Sequence, residues 1–173
     1  MNGNLSADQL GRELRAGSGP FLRRRRKIIG LTFFSCGVLS YIALYQMGMV
    51  KRLPQPRWQG LNAEKVNGSA QAYSILAIPD ALLGLASYAA TACLAGLGPE
   101  NRWQTHPLMP IGMGLKMIAD AAFAGKLTVD ESRKYRAFSL WSVLAAAATF
   151  TALPLAIPET KAALRQIAGG EHA

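Results

Sequence analysis

The sequence predicts an all-α fold, an integral membrane four-helix bundle with both termini cytoplasmic, on three observations. Half of the 173 residues are hydrophobic, and they are blocked into runs instead of being spaced along one helical face. Three of those runs, Ile28 to Val50, Ala81 to Pro99 and Ala137 to Pro158, hold no charged residue. Each is near the ~20 residues that cross a hydrocarbon core of roughly 30 Å, and a soluble helix of that length would need a polar face. Finally, the cluster Arg23-Arg24-Arg25-Arg26-Lys27 abuts the first run, where basic residues hold a helix end on the cytoplasmic side.

Taken in order, residues 1–22 form a polar cytoplasmic tail. Ser6 and Gln9 have the spacing of a capping box, with Leu10 and Leu14 following on one face of a short amphipathic turn. The first span is too long for a signal-peptide core and is followed by no small-residue cleavage site, so it stays attached. Residues 51–77 form the longest loop. Pro54 and Pro56 force an extended start, Trp58 and Tyr73 suit the head-group level, and the length fits a cap over a site as well as a plain connector. Pro79 and Asp80 open the second span, where proline is tolerated and a carboxylate meets the favourable end of the helix dipole. Ser87, Thr91 and Ala95 recur along it every four residues and permit close helix approach.

The third span, His106 to Gly125, is the weakest because it carries Lys116 and Asp120. Each intramembrane charge costs about 2.5–3.5 kcal/mol on insertion scales. Four residues apart, the two can meet on one helix face turned into the bundle, which offsets part of that cost. A re-entrant or surface helix is the competing reading. Lys126 to Arg136 is predicted to be a compact charged loop. The fourth span carries the small pairs Ser142/Ala146 and Ala145/Thr149, with Pro154 and Pro158 loosening its far end. The chain thus divides into a tail at 1–22, a membrane domain at 23–160 and a cytoplasmic tail at 161–173.

A net charge of +9 invites a nucleic-acid partner, but the basic cluster sits where a topology signal touches anionic head groups, which excludes that class. Cys36 and Cys93 are the two cysteines; neither belongs to a C-x-x-C or has histidine at metal-ligand spacing, so no metal site is expected. The bland role, two small apolar core residues, is preferred to a redox pair, because both lie at depths different from the groups that could form a site. Those groups gather toward one end of the predicted bundle: Asp80, Gly84 and Tyr88 on span two, Asp120 late in span three, Ser139 and Ser142 early in span four. An apolar hollow with a few converging polar groups describes a site for a flat hydrophobic ligand. Ser139 and Ser142 lie one turn apart and point the same way. Thiols there could form a local disulfide and be activated by the helix N-terminus, whereas serine oxygens can do neither. With no histidine nearby, and with no spacing that singles out Lys116 or Lys134 as a base, serine catalysis is set aside.

With those residues in view, the chain resembles the vitamin K epoxide reductase family in its bacterial membrane form. The resemblance covers roughly residues 24–160 and rests on the order of spans, on Ile78-Pro79-Asp80-Ala81-Leu82-Leu83-Gly84 opening span two, and on Ser139-Leu140-Trp141-Ser142 where the family has its C-x-x-C. It implies a four-helix bundle around a quinone, quinone-linked thiol–disulfide oxidoreduction, an outer-loop cysteine pair or a thioredoxin-like partner as relay, and a bacterial inner-membrane location. Carried over by position, Ser139 and Ser142 stand on the redox cysteines and Asp80 on the polar residue opening span two. Loop 51–77 has no cysteine either, so the family's enzyme chemistry lacks its dithiol and its relay, and no residue is assigned as catalytic. The resemblance therefore implies a quinone- or lipid-binding homologue. The rival class is a non-catalytic accessory or structural subunit of a membrane complex, with Lys116, Asp80 and Asp120 as interhelical contacts.

Overall fold

The computed structural model describes residues 6–73 and 77–170. The extreme ends of both predicted tails and residues 74–76 of the long loop lie outside the described residues. Within them the chain is all-α: α1 (Ala7–Ala16), α2 (Pro20–Gln46), α3 (Ala63–Asn67), α4 (Asp80–Gly96), α5 (Arg102–Thr105), α6 (Leu108–Tyr135) and α7 (Leu140–Gly170), with a single 3-10 turn at Ala70–Tyr73. Helices α2, α6 and α7 are long and apolar enough to cross a membrane. At 17 residues, α4 spans about 25 Å, a little under a hydrocarbon core. The chain is an integral membrane protein by these helices.

Local chemistry sets the boundaries. Ser6 and Gln9 close the predicted capping box on α1, each side chain bonded to the other's backbone. Pro20 occupies the first turn of α2 and Pro79 is the N-cap of α4, both places where a missing N–H costs nothing. Two expectations are corrected. The charged stretch from Lys126 is not a loop but the last turns of α6, which runs unbroken for 28 residues and ends only where Arg136 turns left-handed at φ 48°. No proline or glycine follows Gly125 to stop it, and Lys126 and Asp130 pair across one turn at 3.7 Å. Nor do Pro154 and Pro158 open the end of α7: the helix continues through both, carrying the predicted tail from residue 161 as helix to Gly170. Neighbouring helices and hydroxyls can re-satisfy what a membrane proline frees.

The four long helices run alternately up and down. α2 packs on α4 and α7, and α7 on α6, whereas α4 and α6 touch far less. Two cores result. One holds Ile28, Ala95, Met113, Met117, Ala152 and Ala156; the other Val38, Ile42, Ala43, Ala81 and Ala145. Small residues permit this closeness, as the sequence spacing suggests. A Cβ on Gly114 would come within 2.5 Å of the Thr160 hydroxyl across the α6–α7 contact, and one on Gly84 within 2.6 Å of Leu39 across α2–α4.

Where α4 ends, two arginines are almost wholly buried. Arg25 is 1 % and Arg102 0 % exposed. Arg25 donates to the carbonyls of Ala95, Leu97, Gly98 and Pro99 at 2.7–3.0 Å. Arg102 donates to Leu94 and Leu97, and holds the buried Glu159 carboxylate through Nε at 2.8 Å and Nη2 at 3.0 Å. Helix-end carbonyls otherwise lack donors, and a guanidinium supplies five in a fixed fork. Glu13 of α1 accepts from the Glu100 amide beside this cap.

Candidate functional site

At the opposite end of the bundle the four long helices line a half-open cavity of about 120 Å³. Its walls are mostly apolar, with Leu39 and Ile42 from α2, Phe123 and Leu127 from α6 and Ala145 and Ala146 from α7. It lies where α4 and α6 pack least. Apolar cavities of about 150 Å³ take a benzene-sized guest, so the hollow is of single-ring size.

Of the residues singled out from the sequence, Asp80, Gly84, Tyr88, Asp120 and Ser142 line this cavity. Ser139 does not. It is fully buried behind the wall as the N-cap of α7: its carbonyl accepts from Val143 N and its Oγ from Ser142 N at 3.3 Å. The serines therefore do not point alike, because Ser139 precedes the helix while Ser142 sits inside its first turn. Asn67 of α3 fixes the cap further, donating to Ser139 Oγ at 2.8 Å.

Asp80 is held by Gln46, the last residue of α2, whose Nε2 donates to Asp80 Oδ1 at 2.7 Å and to the Asn67 carbonyl at 3.2 Å. The Gln46 amide oxygen accepts from Ala81 N at 3.3 Å, so one side chain ties α2, α3 and the start of α4 together. On α6, Glu131 faces the cavity and accepts from Ser139 N at 3.4 Å. Trp141 packs at a 45° tilt on Tyr41 with ring centroids 4.9 Å apart, and its indole donates to the Pro54 carbonyl at 3.0 Å, drawing the proline-rich loop over this end.

Lys116 and Asp120 meet as their spacing predicts, with Nζ 2.5 Å from Oδ2. They are not isolated. Ser87 donates to Asp120 Oδ1 at 2.9 Å, Thr91 to Oδ2 at 3.1 Å, and Lys116 also donates to the Ser87 carbonyl at 2.8 Å. The pair thus bridges the loose α4–α6 seam at the cavity floor. Tyr88 shares its hydroxyl with Thr149 and the Ala145 carbonyl.

Sequence reasoning missed Gln46, Asn67 and Glu131. Gln46 and Asn67 are single amides in unremarkable contexts. Glu131 fell in the stretch read as loop; an α-helical count forward from Asp120 would have put it on the same face, three turns on. Cys36 is half-buried and Cys93 exposed, both unbridged, and neither lines the cavity. No group of metal-ligating side chains occurs among the described residues.

Comparison with known proteins finds no match among curated proteins and none among solved structures. A family model does match: that of the vitamin K epoxide reductase family, over residues 27–157, from within α2 to the residue before the second proline of α7. The chain belongs to the vitamin K epoxide reductase family, a family of membrane proteins whose redox chemistry is linked to quinones.

Proposed function

We propose that this protein is a four-span member of the family, with both termini cytoplasmic in a bacterial inner membrane, that binds a quinone-type or similar lipid ring in the cavity and does not oxidise thiols. The carrying observation is that the family's redox positions, assigned here to Ser139 and Ser142, are a buried helix cap and a hydroxyl on the cavity wall, with no sulfur among the lining residues. The shorter α4 crosses as the second span, its buried arginine cap satisfying the carbonyls at its end. A ring would pack on Leu39, Ile42, Phe123 and Leu127, and its polar edge would meet Asp80, Glu131 and Ser142. When bound, a quinone supplies a two-electron, two-proton acceptor; the chain's own groups bind, orient and keep water from it.

The protein purified from its native membrane should retain a quinone-class lipid and show no thiol-dependent quinone reduction. A preparation that neither carries nor takes up such a ring sinks the reading. Gain of thiol-dependent quinone reduction on replacing Ser139 and Ser142 together with cysteine would show that only the sulfurs separate this pocket from the family's chemistry.

A further inference from the structure

The hydrogen bonds around the cavity indicate which redox form of a ring it accepts, an inference that rests on the ring-binding reading above. Most donors among the lining side chains are already spent within the protein, the Ser142 hydroxyl excepted. Asn67 gives its amide hydrogens to the Ala63 carbonyl at 2.9 Å and to Ser139 Oγ at 2.8 Å. Ser87 gives its hydroxyl to Asp120 Oδ1, and Thr128 gives its own to the Ala124 carbonyl at 2.9 Å. Tyr88 is engaged with Thr149 and the Ala145 carbonyl. The ammonium of Lys116, just behind the wall, is held by the Ser87 carbonyl and hydroxyl and by Asp120.

Acceptors, in contrast, are in excess. Three carboxyl groups line the space, Asp80 from α4 and Asp120 and Glu131 from α6, and no lysine or arginine does. Each offers two oxygens with about four lone-pair directions between them. Asp80 Oδ1 receives Gln46 and Glu131 receives Ser139 N, so capacity is left on both. Beside ionised carboxylates, a quinone's two carbonyl acceptors find at most the Ser142 hydroxyl to donate to them. The corresponding hydroquinone presents two O–H donors to oxygens that can still accept. A site built to receive an O–H discriminates strongly against the analogue that lacks it.

We propose that the cavity selects the reduced, hydroxyl-bearing ring, a 1,4-hydroquinone, over the oxidised quinone. The full-length protein in lipid nanodiscs, kept anaerobic, is titrated calorimetrically with 1,4-benzohydroquinone and with 1,4-benzoquinone, single-ring probes that match the cavity. The hydroquinone should bind at least about tenfold more tightly. Equal affinities, or tighter binding of the quinone, overturn the proposal and leave ring binding standing. If neither ring binds, the ring-binding reading fails and this one with it. Asp80→Asn and Glu131→Gln each exchange an acceptor oxygen for a donor amide, and each should raise quinone affinity and narrow the preference. A preference unchanged in both variants would equally overturn it.

Discussion

The two ends of this bundle use polar groups in opposite ways. At the end of α4, two arginines and one glutamate are buried almost completely, and their donors and acceptors are matched: the guanidiniums meet helix-end carbonyls and Glu159. At its start, three carboxyls face a hollow, and most donors nearby are already committed to protein partners. A matched buried network makes an end rigid, and a cavity with surplus acceptors makes an end receptive. The difference teaches where to look for function in a chain rich in buried charge. Burial alone does not mark the site; unmatched capacity beside a cavity does.

Substitutions should separate the two ends by the kind of loss they produce. Arg102→Ala should cost most, on the order of 3–5 kcal/mol, because it strands the Glu159 carboxylate in the core as well as freeing α4 carbonyls. Unfolding in detergent checks it, and replacing both partners by apolar residues should recover much of the loss. A small effect would mean that the matched end is not what holds α4 in place. Ser139→Ala should cost about 1 kcal/mol by removing the α7 cap, read by the same unfolding measurement. Ala146→Leu should fill the cavity and abolish ring binding measured by calorimetry, yet cost less than the roughly 1–3 kcal/mol that overpacking exacts from a full core. If it unfolds the protein instead, the hollow is not receptive space. Ser35→Ala should be neutral or slightly stabilising in a thermal melt, since the buried Ser35 hydroxyl has no protein partner to lose.

The uncharged runs, the basic cluster and the four-residue spacing of small side chains made the helices and their close packing readable without a structure. The pairing of Lys116 with Asp120 was equally legible, because residues four apart on a helix are neighbours whatever else the chain does. Asp80, Gly84, Tyr88, Asp120 and Ser142 were placed at one end by counting turns along each span, and they do line one cavity. α6 runs past the expected loop because charge alone does not end a helix and nothing in that stretch breaks one.

What the amino-acid order determined by itself is therefore local or periodic: which segments are apolar enough to cross lipid, which faces are small, and that no cysteine pair stands at the start of α7. Tertiary structure alone decided that Ser139 is a cap and not a wall, that Gln46 and Asn67 tie α2 and α3 to the start of α4 and the cap of α7, and that two arginines far apart in sequence close the same helix end. Those outcomes depend on contacts between residues tens of positions apart. Only the packed bundle brings such partners within hydrogen-bonding distance, so no spacing rule along a single helix could have named them.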